Sequence, residues 1–126
     1  QVHLAEAVLT DHTKSPEALV DAYVQGTRTR DITLLKAIFH ESAVMTGWLG
    51  PDFLHGGPEP FYGALEANDI GPDYTSNVVS VDKADRIATA QLDESNLLGL
   101  TFTNHFQMCQ IADGSWRITA KLFRHS

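Results

Sequence analysis

The chain has 126 residues, 43% hydrophobic and 20% charged, which fits one ordinary globular domain able to bury its own core. Nine basic residues against sixteen acidic ones give a net charge of −7. With no basic stripe interleaved with aromatics, that balance argues against a nucleic-acid partner. No apolar run approaches the roughly 20 residues of a membrane span, so no membrane partner is expected. Cys109 is the only cysteine. An internal disulfide is therefore excluded and a reducing, cytoplasmic compartment is the expectation, with export left open because the first residue is Gln1 rather than Met.

Residues 1–14 carry no cap or turn signal of their own and read as an N-terminal arm, with the domain proper spanning 15–126. Ser15 then offers an N-cap, Pro16 suits the first helical position, and Glu17 stands in the first turn. Leu19, Ala22, Tyr23 and Gly26 follow at three- and four-residue spacing as one inward face. Asp31 caps a second helix whose buried side is Leu34, Leu35, Ile38 and Phe39. "SAVMTGWL" reads as a strand. "GPDFLHGGPEP" reads as a loop that changes chain direction, and Pro58 and Pro60 start a short third helix anchored by Phe61 and Leu65.

After Gly71 and Pro72 the pattern becomes strand-like: "YTSNVVSVD", "RIATAQLDE", "LTFTNHFQMCQIA" and "SWRITAKLFRH", with Asp113-Gly114 as the strongest hairpin signal. Three helices with one strand between the second and third, then a meander, predict an α+β fold with helices on one face of a mostly antiparallel sheet. Strict alternation puts Phe102, Asn104, Phe106 and Met108 inward on one strand. On the last strand it puts Trp116, Ile118, Ala120 and Leu122 inward, with Arg117, Thr119 and Lys121 outward.

This arrangement is similar to the cone-shaped roll of the nuclear transport factor 2-like superfamily. "ALVDAYVQGTRTRDITLLKAIFHESAVMTGW", with Phe39-His40-Glu41-Ser42-Ala43 as its bridge, resembles the opening of the putative lumazine-binding family, and "DGSWRITAKLFRH" resembles that family's ending. The likeness runs over about residues 16–125. It implies a curved sheet around a pocket and a homodimer through the sheet face. The same superfamily includes ketosteroid isomerase and polyketide-cyclase-like enzymes, which move a proton with a carboxylate on the first strand. The corresponding count from Ala43 lands on Gly47, where no carboxylate exists.

Candidate ligand contacts are therefore few. Tyr23 supplies a phenol on the inward face of the first helix, and Asn104 is the polar exception on an apolar strand face. Met45, Gly47, Trp48, Phe106 and Met108 are the expected apolar walls. Tyr23 and the apolar walls read first as ordinary core, and the amide of Asn104 is satisfied either by the protein or by a ligand or water. No catalytic residue is assigned. No pair among the six histidines has metal-ligand spacing, and no glycine loop cradles a phosphate, so no metal or cofactor is expected. The leading expectation is a cone that binds a small apolar or aromatic molecule. The alternatives are an isomerase, cyclase or dehydratase using Glu41, Asp52 or His55 as a non-standard base, and a structural dimer with a closed cone. The dimer face is expected to carry Thr103, His105, Gln107 and Cys109 beside Thr119, Lys121 and Phe123.

Overall fold

Ser15 opens the first helix as its chemistry requires: its hydroxyl accepts a hydrogen bond from Ala18 N at 3.1 Å, and helix α1 runs Pro16–Thr29. In this computed structural model, residues 11–126 are described. Residues 1–10, most of the expected arm, lie outside the described residues. Thr13 O accepts from Trp116 N at 2.7 Å, which ties the approach to α1 onto the last strand. Arg30 ends α1 in the left-handed region (φ 58°). Its guanidinium then reaches Leu65 O at 2.7 Å, Glu66 O at 3.1 Å and Asp69 Oδ1 at 2.9 Å. One side chain thus binds the end of α1 to the end of the third helix.

Asp31 caps α2 (Ile32–Ile38) through Leu34 N at 3.1 Å, and the chain passes at Phe39 directly into β1 (Phe39–Leu49). The stretch read as a loop contains a strand, β2 (Asp52–Gly56), which folds back on β1 through the Gly50-Pro51 turn. Helix α3 (Glu59–Ala67) follows, and β3 (Thr75–Ala84), β4 (Ile87–Leu97), β5 (Leu100–Gln110) and β6 (Trp116–His125) complete the meander. Strand order is β2-β1-β6-β5-β4-β3, with only β1 and β6 parallel. The helices cover one face of this curved, unclosed six-stranded sheet. They bury Leu19, Tyr23, Leu35, Ile38, Leu65, Leu92, Phe106, Met108 and Ile118 between themselves and the strands.

One irregularity decides what the cone contains. Gln107 pairs with Ala120, but Met108 pairs with Ile118, so Thr119 is an extra residue on β6. Its hydroxyl bonds Gln107 O at 3.2 Å. A bulge of one residue moves every later side chain to the opposite face. Trp116 and Ile118 point inward as alternation predicts, but beyond the bulge Lys121 is buried, Phe123 lies against the core and Leu122 is exposed. The sequence expectation for Ala120, Leu122, Lys121 and Phe123 is inverted, because strict alternation has no way to register the extra residue.

Phe123 now lies over Gly47, its partner on β1. A Cβ at position 47 would stand 2.0 Å from Phe123 O and 2.7 Å from its ring. The backbone contact cannot be relieved by a rotamer change, so Gly47→Ala should lower stability by about 1–3 kcal/mol or more. Gly63, exposed within α3, has open space around its missing Cβ. Gly63→Ala should raise stability by about 0.5–1 kcal/mol. Urea unfolding of the two variants beside the parent checks both signs.

Candidate functional site

The floor of the cone holds a carboxylate. Glu94 is 1% exposed, facing inward from β4 with Ala88, Ala90 and Leu92. Asn104 Nδ2 donates to its Oε1 at 2.7 Å and also to Leu92 O at 3.2 Å. Tyr74 Oη donates to Oε2, and Tyr23 Oη stands 3.5 Å from Oε1. Tyr23 in turn accepts a hydrogen bond from Lys121 Nζ at 2.6 Å. The result is a buried chain, ammonium to phenol to carboxylate, with Asn104 and Tyr74 fixing the acidic end. Placing a negative and a positive group in one apolar interior is tolerable only because each is the other's compensation.

This setting perturbs the titrating groups in different directions. Burial, with the nearby Glu94 charge next, raises the Tyr23 phenol well above its ordinary value. Burial and Glu94 raise Tyr74 as well. Burial pushes Lys121 down to about 8, and Glu94 only partly opposes this. The lysine is also enclosed by aromatic rings, with Nζ 4.3 Å from the Phe61 centroid, 5.0 Å from Tyr23 and 5.6 Å from Phe123.

Above this floor lies a cavity of about 300 Å³ whose walls include Met45, Leu54, Phe61, Leu97, Phe102 and Phe123. Its polar contributors are few, chiefly Lys121 and His55. His55 belongs to β2, where its Nδ1 pairs with Thr46 Oγ1 at 2.7 Å, and it is exposed at the mouth. Leu98, beside the mouth, takes φ 52° with Gly99 at φ 81°, the two positive values a two-residue hairpin turn between β4 and β5 needs.

The residues singled out from sequence divide into three groups. Met45 lines the cavity, while Tyr23 and Asn104 sit in the polar floor. Phe106 and Met108 are buried in the core, and Gly47 is buried under Phe123. Trp48 is 53% exposed on the other side of β1, its ring 5.4 Å from that of Phe53, and it does not line the cavity. Sequence reasoning missed Glu94, Tyr74 and Lys121. Glu94 had a signal: it continues the inward set Ala88, Ala90, Leu92 at a period of two. Lys121 had none, since its place depends on the bulge.

Residues 11–124 match the sequence model of the putative lumazine-binding family. The chain belongs to that family. No functionally curated protein matches it. Among solved structures, a nuclear transport factor 2-like protein of unknown function from Silicibacter pomeroyi DSS-3 is 24% identical, with 98% of each chain covered and a TM-score of 0.79. A second such protein, from Shewanella baltica OS155, is 18% identical over 85% of this chain and 87% of its own, with a TM-score of 0.77. A ketosteroid isomerase-like protein from Erwinia carotovora atroseptica SCRI1043 is 18% identical over 91% of this chain and 96% of its own, with a TM-score of 0.67. At these identities the likeness establishes the nuclear transport factor 2-like cone fold. The first-strand position at which the isomerases of this superfamily are expected to carry a carboxylate holds Gly47 here, covered by Phe123. Among the described residues no cluster of three His, Cys, Asp or Glu side chains is placed to hold a metal ion, and no helix is long and apolar enough to cross a membrane.

Lys121 makes stability depend on alkaline pH in a defined direction. Its folded pKa, about 8, lies below its ordinary 10.5. Between those values the unfolded chain holds more protons on this group, so stability rises with pH through the window, by up to about 3 kcal/mol. The raised phenols of Tyr23 and Tyr74 act oppositely, but only above their ordinary value of 10.0. Urea midpoints measured from pH 7 to 10 should increase for the parent and stay flat for Lys121→Met. In Glu94→Gln the onset should move to lower pH, because the one charge that holds Lys121 up is gone.

Proposed function

We propose that the cone binds a small, neutral, largely apolar or aromatic molecule bearing an acceptor oxygen, which Lys121 hydrogen-bonds. The observation that carries this is a buried amine in the wall of an otherwise apolar cavity. Among the described residues Lys121 makes one hydrogen bond, to Tyr23. An ammonium has three donors, so two are left for a ligand. Neutrality follows from charge balance. Glu94 and Lys121 already compensate each other, and an anionic ligand would leave net negative charge buried. The volume, about 300 Å³, stands at the small end of ligand pockets, which suits a molecule of two or three fused rings.

Glu41, Asp52 and His55 are all exposed, and His55, the one of them that lines the cavity, has its Nδ1 held by Thr46 Oγ1, so none is a base buried inside the cone of the kind an isomerase needs. Glu94 is inside, but its oxygens are occupied by Tyr23, Tyr74 and Asn104. Binding therefore fits the geometry better than isomerisation by any of these carboxylates.

Calorimetry with 2-naphthol, 2-acetonaphthone and 2-naphthoate tests the proposal. The two neutral compounds should bind and the carboxylate should bind more weakly. Lys121→Met should cost about 1.5–3 kcal/mol of naphthol affinity, the range for a hydrogen bond involving a charged group. Unchanged affinity in that variant, or preference for the carboxylate, would sink the assignment.

We propose further that the outer face of the sheet pairs with a second copy of the chain. Leu122, 49% exposed, sits at its centre with Thr46 and His105 on the adjoining strands, and Ile87 and Val44 are exposed on the same face. An interface here needs to bury about 1,000 Å² in total to be stable. Because Phe123 faces inward, the outer position to alter is Leu122. Sedimentation should give a mass near twice 13.9 kDa for the parent and near 13.9 kDa for Leu122→Glu. A monomeric parent would refute the pairing.

A further inference from the structure

The structure also assigns Lys121 a covalent role: we infer that its amine forms an imine with an apolar aldehyde or ketone held in the cone. This rests on the proposal that the cavity receives a neutral molecule through its acceptor oxygen, and it names the class of that molecule as a carbonyl compound.

Three features of the geometry point to it. Lys121 is 5% exposed yet lines the cavity, and its Nζ lies beside Phe61 and Phe123, which line it too, so an occupant of the cavity comes next to Nζ while bulk water is largely kept away. Phe61, Tyr23 and Phe123 confine Nζ between rings, which favours an aromatic or extended carbonyl compound beside it. Tyr23 Oη, 2.6 Å from Nζ and 3.5 Å from Glu94 Oε1, gives the ammonium proton a route to a carboxylate inside the fold. A lysine in an apolar pocket is a recognised way to obtain a nucleophilic amine at neutral pH. At pH 7 an amine of pKa about 8 is about one-tenth unprotonated, against about one in three thousand at the ordinary value of 10.5.

The step balances without a redox partner. Unprotonated Nζ attacks the carbonyl carbon, forming the N–C bond while the C=O π pair moves to oxygen. That oxygen takes up the proton that nitrogen releases, giving a carbinolamine. The carbinolamine hydroxyl then takes up one proton and leaves as water while the nitrogen lone pair closes the C=N bond, and the resulting iminium loses its remaining N–H proton, which returns the one taken up. Amine and carbonyl give imine and water. The Tyr23–Glu94 chain is positioned to store and return the proton between the two halves.

The experiment uses the unmodified full chain, 2-naphthaldehyde as probe and sodium cyanoborohydride as the hydride donor that reduces an imine to a stable secondary amine. Peptide mass spectrometry then locates the naphthylmethyl group. The four lysines are Lys14, Lys36, Lys83 and Lys121, the first three exposed. The expected result, apart from any label on the chain's α-amine, is a label on Lys121 in at least about tenfold excess over each surface lysine at pH 7. Excess 2-naphthol should suppress that label by competing for the cavity, and labelling should fall as pH is lowered from 8 to 6. Tyr23, in contact, and Glu94 beyond it are the titratable groups around Lys121, and His55 lines the same cavity. Label spread evenly over the four lysines would overturn the imine. So would an unlabelled Lys121 in a chain that still binds 2-naphthol in calorimetry, an outcome that leaves the binding site standing. If neither compound occupies the cavity, both the imine and the binding site are refuted.

Discussion

A carboxylate and an ammonium buried in one apolar cone must compensate each other, and the rest of the interior is arranged around that requirement. Glu94 comes from β4, Lys121 from β6, Tyr23 from α1 and Asn104 from β5. The first helix and three successive strands therefore meet through hydrogen bonds, at a point where none of the groups is satisfied without the others. Removing either charge leaves the other buried and uncompensated, which is more damaging than never having had the pair. The network also divides the interior in two. Behind it the packing is dense, with Tyr23, Phe106, Leu92 and Ile118 fully enclosed. In front of it the cone remains open over about 300 Å³.

The bulge at Thr119 makes that arrangement available. Without it the same β6 would show Leu122 to the cone and Lys121 to the outside, giving an ordinary apolar interior facing a deprived carboxylate. With it, the strand presents Trp116 and Ile118 to the helices at one end and Lys121 and Phe123 to the cavity at the other. Phe123 then needs space, and Gly47 on the neighbouring strand provides it. The first-strand position at Gly47 is thereby covered by a ring. The polar centre stands instead on β4 and β6. Fold likeness at 18–24% identity therefore says little about activity.

Much of the fold was determined by the sequence through local rules. Ser15, Pro16 and Asp31 mark helix starts by donor and acceptor chemistry that acts within three residues. The inward faces of α1 and β5 follow from periods of 3.6 and two. Asp113-Gly114 marks a hairpin for the same local reason, and in the structure Asp113 Oδ1 accepts from both Ser115 N and Oγ. Tyr23 and Asn104 could be picked out because a polar group on an apolar face must find a partner. Glu94 was open to the same inference, since it extends the alternation of Ala88, Ala90 and Leu92. What only the tertiary structure decided is everything downstream of an irregular register. β2 is a strand because β1 offers it a free edge, although its own composition is that of a loop. Lys121, Leu122 and Phe123 exchange faces because one added residue in β6 reverses the pleat. That reversal depends on the pairing of β6 with its neighbours β5 and β1, so no pattern within β6 records it.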